Sequence, residues 1–369
     1  MRGRRVEIQV LAAAAPVFAV LACALPLRAA PQEGHREAGG PDPDRSGALP
    51  AIARHESLFP ARALSVTPAI IPHEVELPAV AGPPPAPPAW PLDERDPGLQ
   101  AGLLRVLAEP GFRRHVRDDG LSVALVDVTD PERIRYAGAD DDHMRYAASL
   151  PKIGILLGVF QQVADGALPY TPALRADLEA MIRRSDNRLS TALIERVGFR
   201  EIEKALCAPG RLLYDASYNG GIWVGRDYGG GRGLWKRDPL HGVSHGATAR
   251  QVARFLVMLD EGDLVSPWAS AEMKRILGEP EIHHKFVRGL ESRPSRIFRK
   301  SGTWKQWHAD AAIVERAGRK YVAVALLEGA GGGKVLSDLI LRLDDLVMGS
   351  HPGDEAGPRS GGAPPAAGR

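Results

Sequence analysis

Two spacing rhythms organise the chain between residues 95 and 349. "GLQAGLLRVLAEPGFRRHV", residues 98–116, repeats apolar residues at helical intervals and predicts one amphipathic helix. "LSVALVDVTDPERIRYAGA", residues 121–139, reads as two strand-like runs joined by the turn-forming Asp130-Pro131, and so predicts a hairpin. Helical patterns follow in "PKIGILLGVFQQVADG", "PALRADLEAMIRRS", "NRLSTALIERVG" and "ATARQVARFLVMLDEG". Strand patterns return in "SRIFRKSGTW", "ADAAIVERAG" and "KYVAVALLEG", before a last helix, "VLSDLILRLDDLVMG". Strands at both ends with helices between predict an α+β fold: a layered sandwich whose antiparallel sheet of about five strands is flanked by helices, with an all-helical subdomain inserted.

The flanks have another character. Residues 1–30 join a basic start, "MRGRR", to an apolar centre and a small-residue end, the pattern of an export signal cleaved near Ala29 or Ala30. "VLAC" ending at Cys23 is an alternative lipidation site, and a membrane partner is expected only if Cys23 carries lipid. Pro16 and Pro26 interrupt the apolar run, which argues against an uncleaved span. Residues 31–94 are rich in Pro and Ala and end in "AGPPPAPPAWP", the composition of a disordered linker; residues 350–369 form a similar tail. An exported protein, periplasmic or secreted, is expected. The only other cysteine is Cys207, so cleavage or lipidation of the signal leaves no pair for an internal disulfide. With 47 basic and 45 acidic residues and no basic block interleaved with aromatics, nucleic acid is excluded as a partner class. A monomer acting on a small-molecule or peptidoglycan-like substrate is expected.

"AASLPKIG" puts Ser149 and Lys152 three residues apart at the head of a helix that is apolar nearly all round. That spacing stacks the two side chains on one face, and Pro151 costs little in a first turn, whose N–H has no helical partner. Burial disfavours a charged amine. A desolvated Lys152 could therefore take the proton of Ser149 and make it a nucleophile.

Two further motifs follow in fixed order: "SDN", Ser185-Asp186-Asn187, between two helical patterns, and "KSG", Lys300-Ser301-Gly302, in the first late strand. Ser-x-x-Lys, Ser-Asp-Asn and Lys-Thr/Ser-Gly in that order resemble the class A β-lactamases and related penicillin-binding proteins, and the element order resembles theirs across nearly all of the core. The resemblance implies a β-lactamase/transpeptidase-like fold and a serine hydrolase working through an acyl-enzyme on β-lactam or peptidoglycan-like amides. It makes Ser149 the nucleophile, Lys152 its base or proton relay, and Ser185 the group that passes a proton to the leaving nitrogen. Asn187 would hold the substrate amide and Lys152, Lys300 would attract a substrate carboxylate, and Ser301 would be its hydrogen-bonding companion. The backbone N–H groups of Ser149 and Thr303 would form the oxyanion hole, and Gly302 suits a strand that a ligand must approach closely. No metal or organic cofactor is implied.

The chain departs from the family in two places. The separation of Ser149 and Ser185 is shorter than usual, so part of the helical lobe is expected to be reduced. The loop glutamate that activates the deacylating water has no counterpart: residues 208–246 contain only Asp215, Asp227 and Asp238 as acids. One of these could serve as the base, with Asp238 preferred for its nearness to the next helix. Without such a base the protein would be a binding or sensing protein that traps penicillins or cell-wall peptides. The same loop carries Tyr214, Tyr218, Trp223, Tyr228 and Trp235, which suit either a substrate-covering flap or a loop pinned to the domain.

Several signals compete. "GVSHG" would make Ser244 the nucleophile of an α/β-hydrolase elbow, but "LWKRDPLH" before it does not read as the buried strand an elbow needs. "SYN", Ser217 to Asn219, is a weaker Ser-x-N than Ser185. His241 and His245 have metal-ligand spacing without an evident third ligand, adjacent His283 and His284 would face different ways, and His308 is expected in a turn near the Lys-Ser-Gly strand.

Overall fold

The structure, a computed structural model, describes residues 92–230 and 233–349. The expected export signal, Cys23, nearly all of the linker and the tail lie outside these residues. Leu92 is already buried in the core, so the folded domain starts before residue 95.

The first helical pattern is two helices, α1 (Pro97–Leu107) and α2 (Pro110–Arg117). Pro110 has no N–H to continue α1 and drives Glu109 into an extended conformation, ψ 148°, which breaks the helix where periodicity alone predicts continuity. The hairpin forms as expected from β1 (Leu121–Asp127) and β2 (Arg135–Ala139). A short strand, β3 (Arg145–Tyr146), then leads to α3 (Lys152–Ala164), α4 (Pro172–Arg183), α5 (Asn187–Val197) and α6 (Phe199–Cys207). The helix α6 was not expected; Gly198, with φ 92°, separates it from α5 after a single residue. Among the described residues, 208–247 contribute the short strands β4 (Tyr214–Asp215), β5 (Gly220–Gly221), β6 (Trp223–Val224) and β7 (His245–Ala247) and one 3-10 turn, Ala216–Tyr218. Then come α7 (Ala249–Glu261), the unexpected α8 (Pro267–Leu277), the short α9 (Phe286–Gly289), the strands β8 (Arg296–Trp304), β9 (Trp307–Arg316) and β10 (Arg319–Glu328), and α10 (Gly332–Gly349). The β9–β10 hairpin turns on Ala317 and Gly318, both at positive φ, as a tight two-residue turn requires.

The main sheet has five antiparallel strands in the order β2-β1-β10-β9-β8, which brings the two ends of the domain together at its centre. Both faces are covered, and β1 shows how: Leu121, Val123 and Leu125 pack toward α1, α2 and α10, whereas Ala124 and Val126 pack toward α7 and the helical lobe. This is the predicted layered α+β architecture. Within the lobe, α3 is buried along residues 152–160. A Cβ on Gly158 would stand 2.8 Å from Ile202 Cγ1, so this glycine lets α6 pack directly on α3.

Candidate active site

Ser149 lies in the turn just before α3. Lys152 N donates to Ser149 O (3.3 Å) and Ile153 N to Leu150 O (3.3 Å), a tight three-residue winding that stacks residues 149 and 152. Lys152 is fully buried. Its Nζ donates to Ser185 O (2.7 Å) and to Asn187 Oδ1 (2.8 Å), with Ser185 Oγ at 3.4 Å. Burial brings its pKa down to about 7, against the opposing pull of the Asp186 carboxylate. Ser149 Oγ makes no hydrogen bond to another described residue, so its proton is uncommitted.

The Ser-Asp-Asn turn owes its shape to each of its members. Asp186 caps α5 by accepting from Leu189 N (2.8 Å), which places Asn187 in the first helical turn. Ser185 sits just outside the helix at φ 59°, which aims its hydroxyl at the strand opposite. There Lys300 Nζ donates to Ser185 Oγ (2.9 Å) and to Ser301 O (2.7 Å). Lys300 is buried, and burial together with the nearby Lys152 and Arg299 charges pushes its pKa well below the ordinary lysine value. Two desolvated lysines thus converge on one serine hydroxyl, an arrangement that a bound carboxylate would relieve.

Gly302 is required where β8 crosses the Ser149 turn, since a Cβ there would stand 2.8 Å from Ser149 N and closer still to Ala147 O. The next residue, Thr303, joins Ser149 and Asn187 in lining a cleft of about 350 Å³. Ser301 Oγ is 3.2 Å from His284 Nε2, a partner that the sequence did not suggest. Burial and the neighbouring Arg299 and Lys285 charges bring the His284 pKa down to about 4, so this ring is neutral at pH 7.

The three aspartates separate clearly. Asp215 caps the short turn Ala216–Tyr218 by accepting from Ser217 N (2.8 Å) and does not line the cleft. Asp238, the preferred candidate from sequence, is also outside it. Its carboxylate is consumed by Tyr214 Oη (2.9 Å), Leu240 N (3.2 Å), His241 N (3.1 Å) and Val243 N (2.8 Å), so it holds the loop together. Asp227 alone of the three lines the cleft beside Ser149. It is buried, with Oδ2 accepting from Gly233 N (2.8 Å) and Oδ1 left without a partner. The preference therefore passes from Asp238 to Asp227.

The loop aromatics pin the loop: Trp223 is buried and its Nε1 donates to Lys236 O (3.1 Å), and Trp235 stacks on Phe199 at 5.0 Å. Tyr228 lies between the His245 ring, 4.2 Å away, and Lys152 Nζ, 4.6 Å from its centroid, and walls off the lysine. Ser244 also lines the cleft, but it precedes the short strand β7, the middle strand of the β3-β7-β6 sheet, and no helix follows it directly, so it is not on a strand-to-helix elbow. His245 is buried against Arg226 O, and His308 packs its ring on Gly332. No cluster of metal-ligating residues occurs among the described residues, and none of their helices is long and apolar enough to cross a membrane.

Known proteins agree with this layout. Residues 172–347 match the family described as "Beta-lactamase enzyme family", a segment that includes Ser185, Asn187 and Lys300 and begins after Lys152. A comparison with curated proteins finds no match. Among solved structures, the chain resembles a β-lactamase from Sphaerobacter thermophilus at 18% identity, covering 69% of this chain and 98% of that one with a TM-score of 0.51. PBP-A shares 16% identity, with 70% and 99% covered and a TM-score of 0.53. A variant of the last common ancestor of Gram-negative class A β-lactamases shares 20%, with 69% and 99% covered and a TM-score of 0.52. The fold is theirs, and residues 172–347 are similar to the β-lactamase enzyme family.

Proposed function

We propose that the protein is an exported acyl-transfer enzyme that takes β-lactam or peptidoglycan-like amides onto Ser149 and releases them slowly. The observation that carries this reading is the position of Ser185 Oγ, 3.4 Å from Lys152 Nζ and 2.9 Å from Lys300 Nζ. A proton relay and a carboxylate dock thus share one hydroxyl beside an uncommitted serine. The neutral amine of Lys152 accepts the Ser149 proton as Oγ attacks the amide carbon. Charge developing on the carbonyl oxygen meets the N–H groups of Ser149 and Thr303. The C–N bond then breaks, the leaving nitrogen takes a proton through Ser185, and an ester remains on Ser149. Water attacking that ester releases the acid and restores the serine hydroxyl. Asp227, the one aspartate of the three that lines the cleft, with its buried Oδ1 unpaired, is the residue we assign to assist that water. Export rests on the pattern of residues 1–30 and brings the protein to the compartment where such amides are met.

Intact mass of the full chain during incubation with a penicillin tests this reading. A single adduct that forms and then decays is expected; Ser149→Ala should abolish it and Ser244→Ala should leave it. Labelling that survives loss of Ser149 would end the proposal. The absence of a glutamate from residues 208–246 favours a second reading, a trap without turnover, whose adduct would persist.

A further inference from the structure

We infer that Lys285, a residue outside all three motifs, is a positioning residue that sets the oxyanion-hole donor of Thr303. The inference rests on the acylation reading above. Lys285 is buried, and its Nζ donates to three acceptors: Gly302 O (2.6 Å), Thr303 Oγ1 (2.8 Å) and Ala309 O (3.0 Å). Three acceptors use every proton of an ammonium group and leave no donor for a ligand; burial lowers the pKa to about 8 against the pull of the Asp310 carboxylate, so the group is still charged at pH 7. Gly302 and Ala309 are directly paired across β8 and β9, so one side chain ties the two strands together at the rung beside the Ser149 turn.

The consequence for the site follows from peptide geometry. The Gly302 carbonyl and the Thr303 N–H belong to one planar unit and point in opposite directions. Holding the carbonyl oxygen on Lys285 therefore aims the N–H the other way, and a positive charge at the oxygen end polarises the unit so that its N–H is a stronger donor. β8 is an edge strand, paired only with β9, so this peptide lacks the second neighbouring strand that would otherwise fix it. The backbone conformation of Lys285 supports a positioning role. A non-glycine residue at φ 50°, ψ −117° is strained, and the surrounding hydrogen bonds hold it there, including Phe286 N to Asp310 Oδ2 (3.1 Å) and Gly289 N to Lys285 O (2.8 Å). Asp310 also pairs with Arg299 (2.7 Å), which keeps a carboxylate close to the buried ammonium without taking its protons.

Lys285→Met removes the donors at nearly constant length, and Lys285→Arg keeps the charge in a planar fork that does not reproduce the three directions. For full-length wild type and both variants, the acylation rate constant at saturation and the half-saturating penicillin concentration are measured separately, with the melting temperature as a check on folding. Loss of an oxyanion-hole donor costs about 10²–10³-fold in rate. Lys285→Met is expected to lose that much in the rate constant with little change in half-saturation, and Lys285→Arg to lose less. Should Lys285→Met not fold, Lys285→Arg carries the test. The infrared carbonyl band of the acyl-enzyme ester should also move to higher frequency in the variants, because a weaker oxyanion hole polarises the ester less. A folded variant that acylates at the wild-type rate with an unshifted band overturns the inference, as does an equal loss in rate and binding. A wild type that takes no adduct is instead a failure of the acylation reading. The clamp is then judged by the Thr303 amide resonance of the free protein, which must move in Lys285→Arg; an unmoved resonance overturns it.

Discussion

A methyl group on Gly302 would stand 2.8 Å from the backbone nitrogen of Ser149, so the edge strand and the nucleophile turn touch with no room for any side chain between them. Gly302→Ala must push β8 away from the turn. Overpacking of this kind costs about 1–3 kcal/mol of stability, and a displacement of about 1 Å at the reacting groups costs on the order of 10²-fold in rate. The variant should fold, melt at a lower temperature and take up penicillin at least that much more slowly. Stopped-flow acylation alongside a thermal melt checks both.

The depressed pKa of Lys152 fixes the sign of the pH dependence. With a value of about 7 in the free protein, the base is active only when neutral, so kcat/KM for acylation should rise with pH and level off above that point. The same shift makes a stability statement. Between about 7 and the ordinary 10.5 the unfolded chain binds the proton that the folded one has lost, so Lys152 makes the protein more stable as pH rises through that window. Lys152→Met should remove the rising limb of whatever rate remains, and should flatten the pH dependence of unfolding midpoints in urea.

Asp227 and Asp238 should respond differently to the same conservative change. Asp227→Asn can keep an acceptor for Gly233 N and removes the carboxylate from the cleft wall, so the burst of acylation should survive while the later hydrolytic phase slows, by up to the 10²–10⁴-fold typical of general-base help. Asp238→Asn replaces one accepting oxygen by an amide nitrogen among backbone N–H groups, which should cost roughly 1–3 kcal/mol of stability. Quench-flow with a chromogenic cephalosporin separates the burst from turnover. A burst that disappears in Asp227→Asn would remove that residue from the second step.

Lys300 should matter most to substrates that carry a carboxylate. Burial and the Lys152 and Arg299 charges disfavour its charged form, and an incoming carboxylate would favour it again and pair with it. Lys300→Ala should weaken acylation by penicillins far more than acylation by neutral esters of comparable reactivity. Equal loss for both would mean that Lys300 serves only to orient Ser185.

Periodicity located the hairpin, the buried α3, the three late strands and the last helix, because each obeys a local rule of spacing or turn chemistry. The order of the three motifs pointed to the fold that the structure shows, since Ser149, Lys152, Ser185, Asn187 and Lys300 are residue types whose chemistry is evident wherever they stand. What the sequence could not decide is long-range. The break at Pro110 was written in the chain and overridden by the apolar rhythm around it, whereas α6 and α8 depend on packing against α3 and α4. Three aspartates in one loop look alike in sequence. Only the loop's path, set by Tyr214 on Asp238 and Trp223 on Lys236, puts one of them in the cleft and spends another on backbone N–H groups. Lys285 itself gave no signal, because its partners Gly302, Thr303 and Ala309 are reached across space. Local composition thus determined which chemistry the protein carries, and tertiary packing decided which atoms are buried, charged and aimed at one another, because desolvation and hydrogen-bond direction are properties of the assembled core.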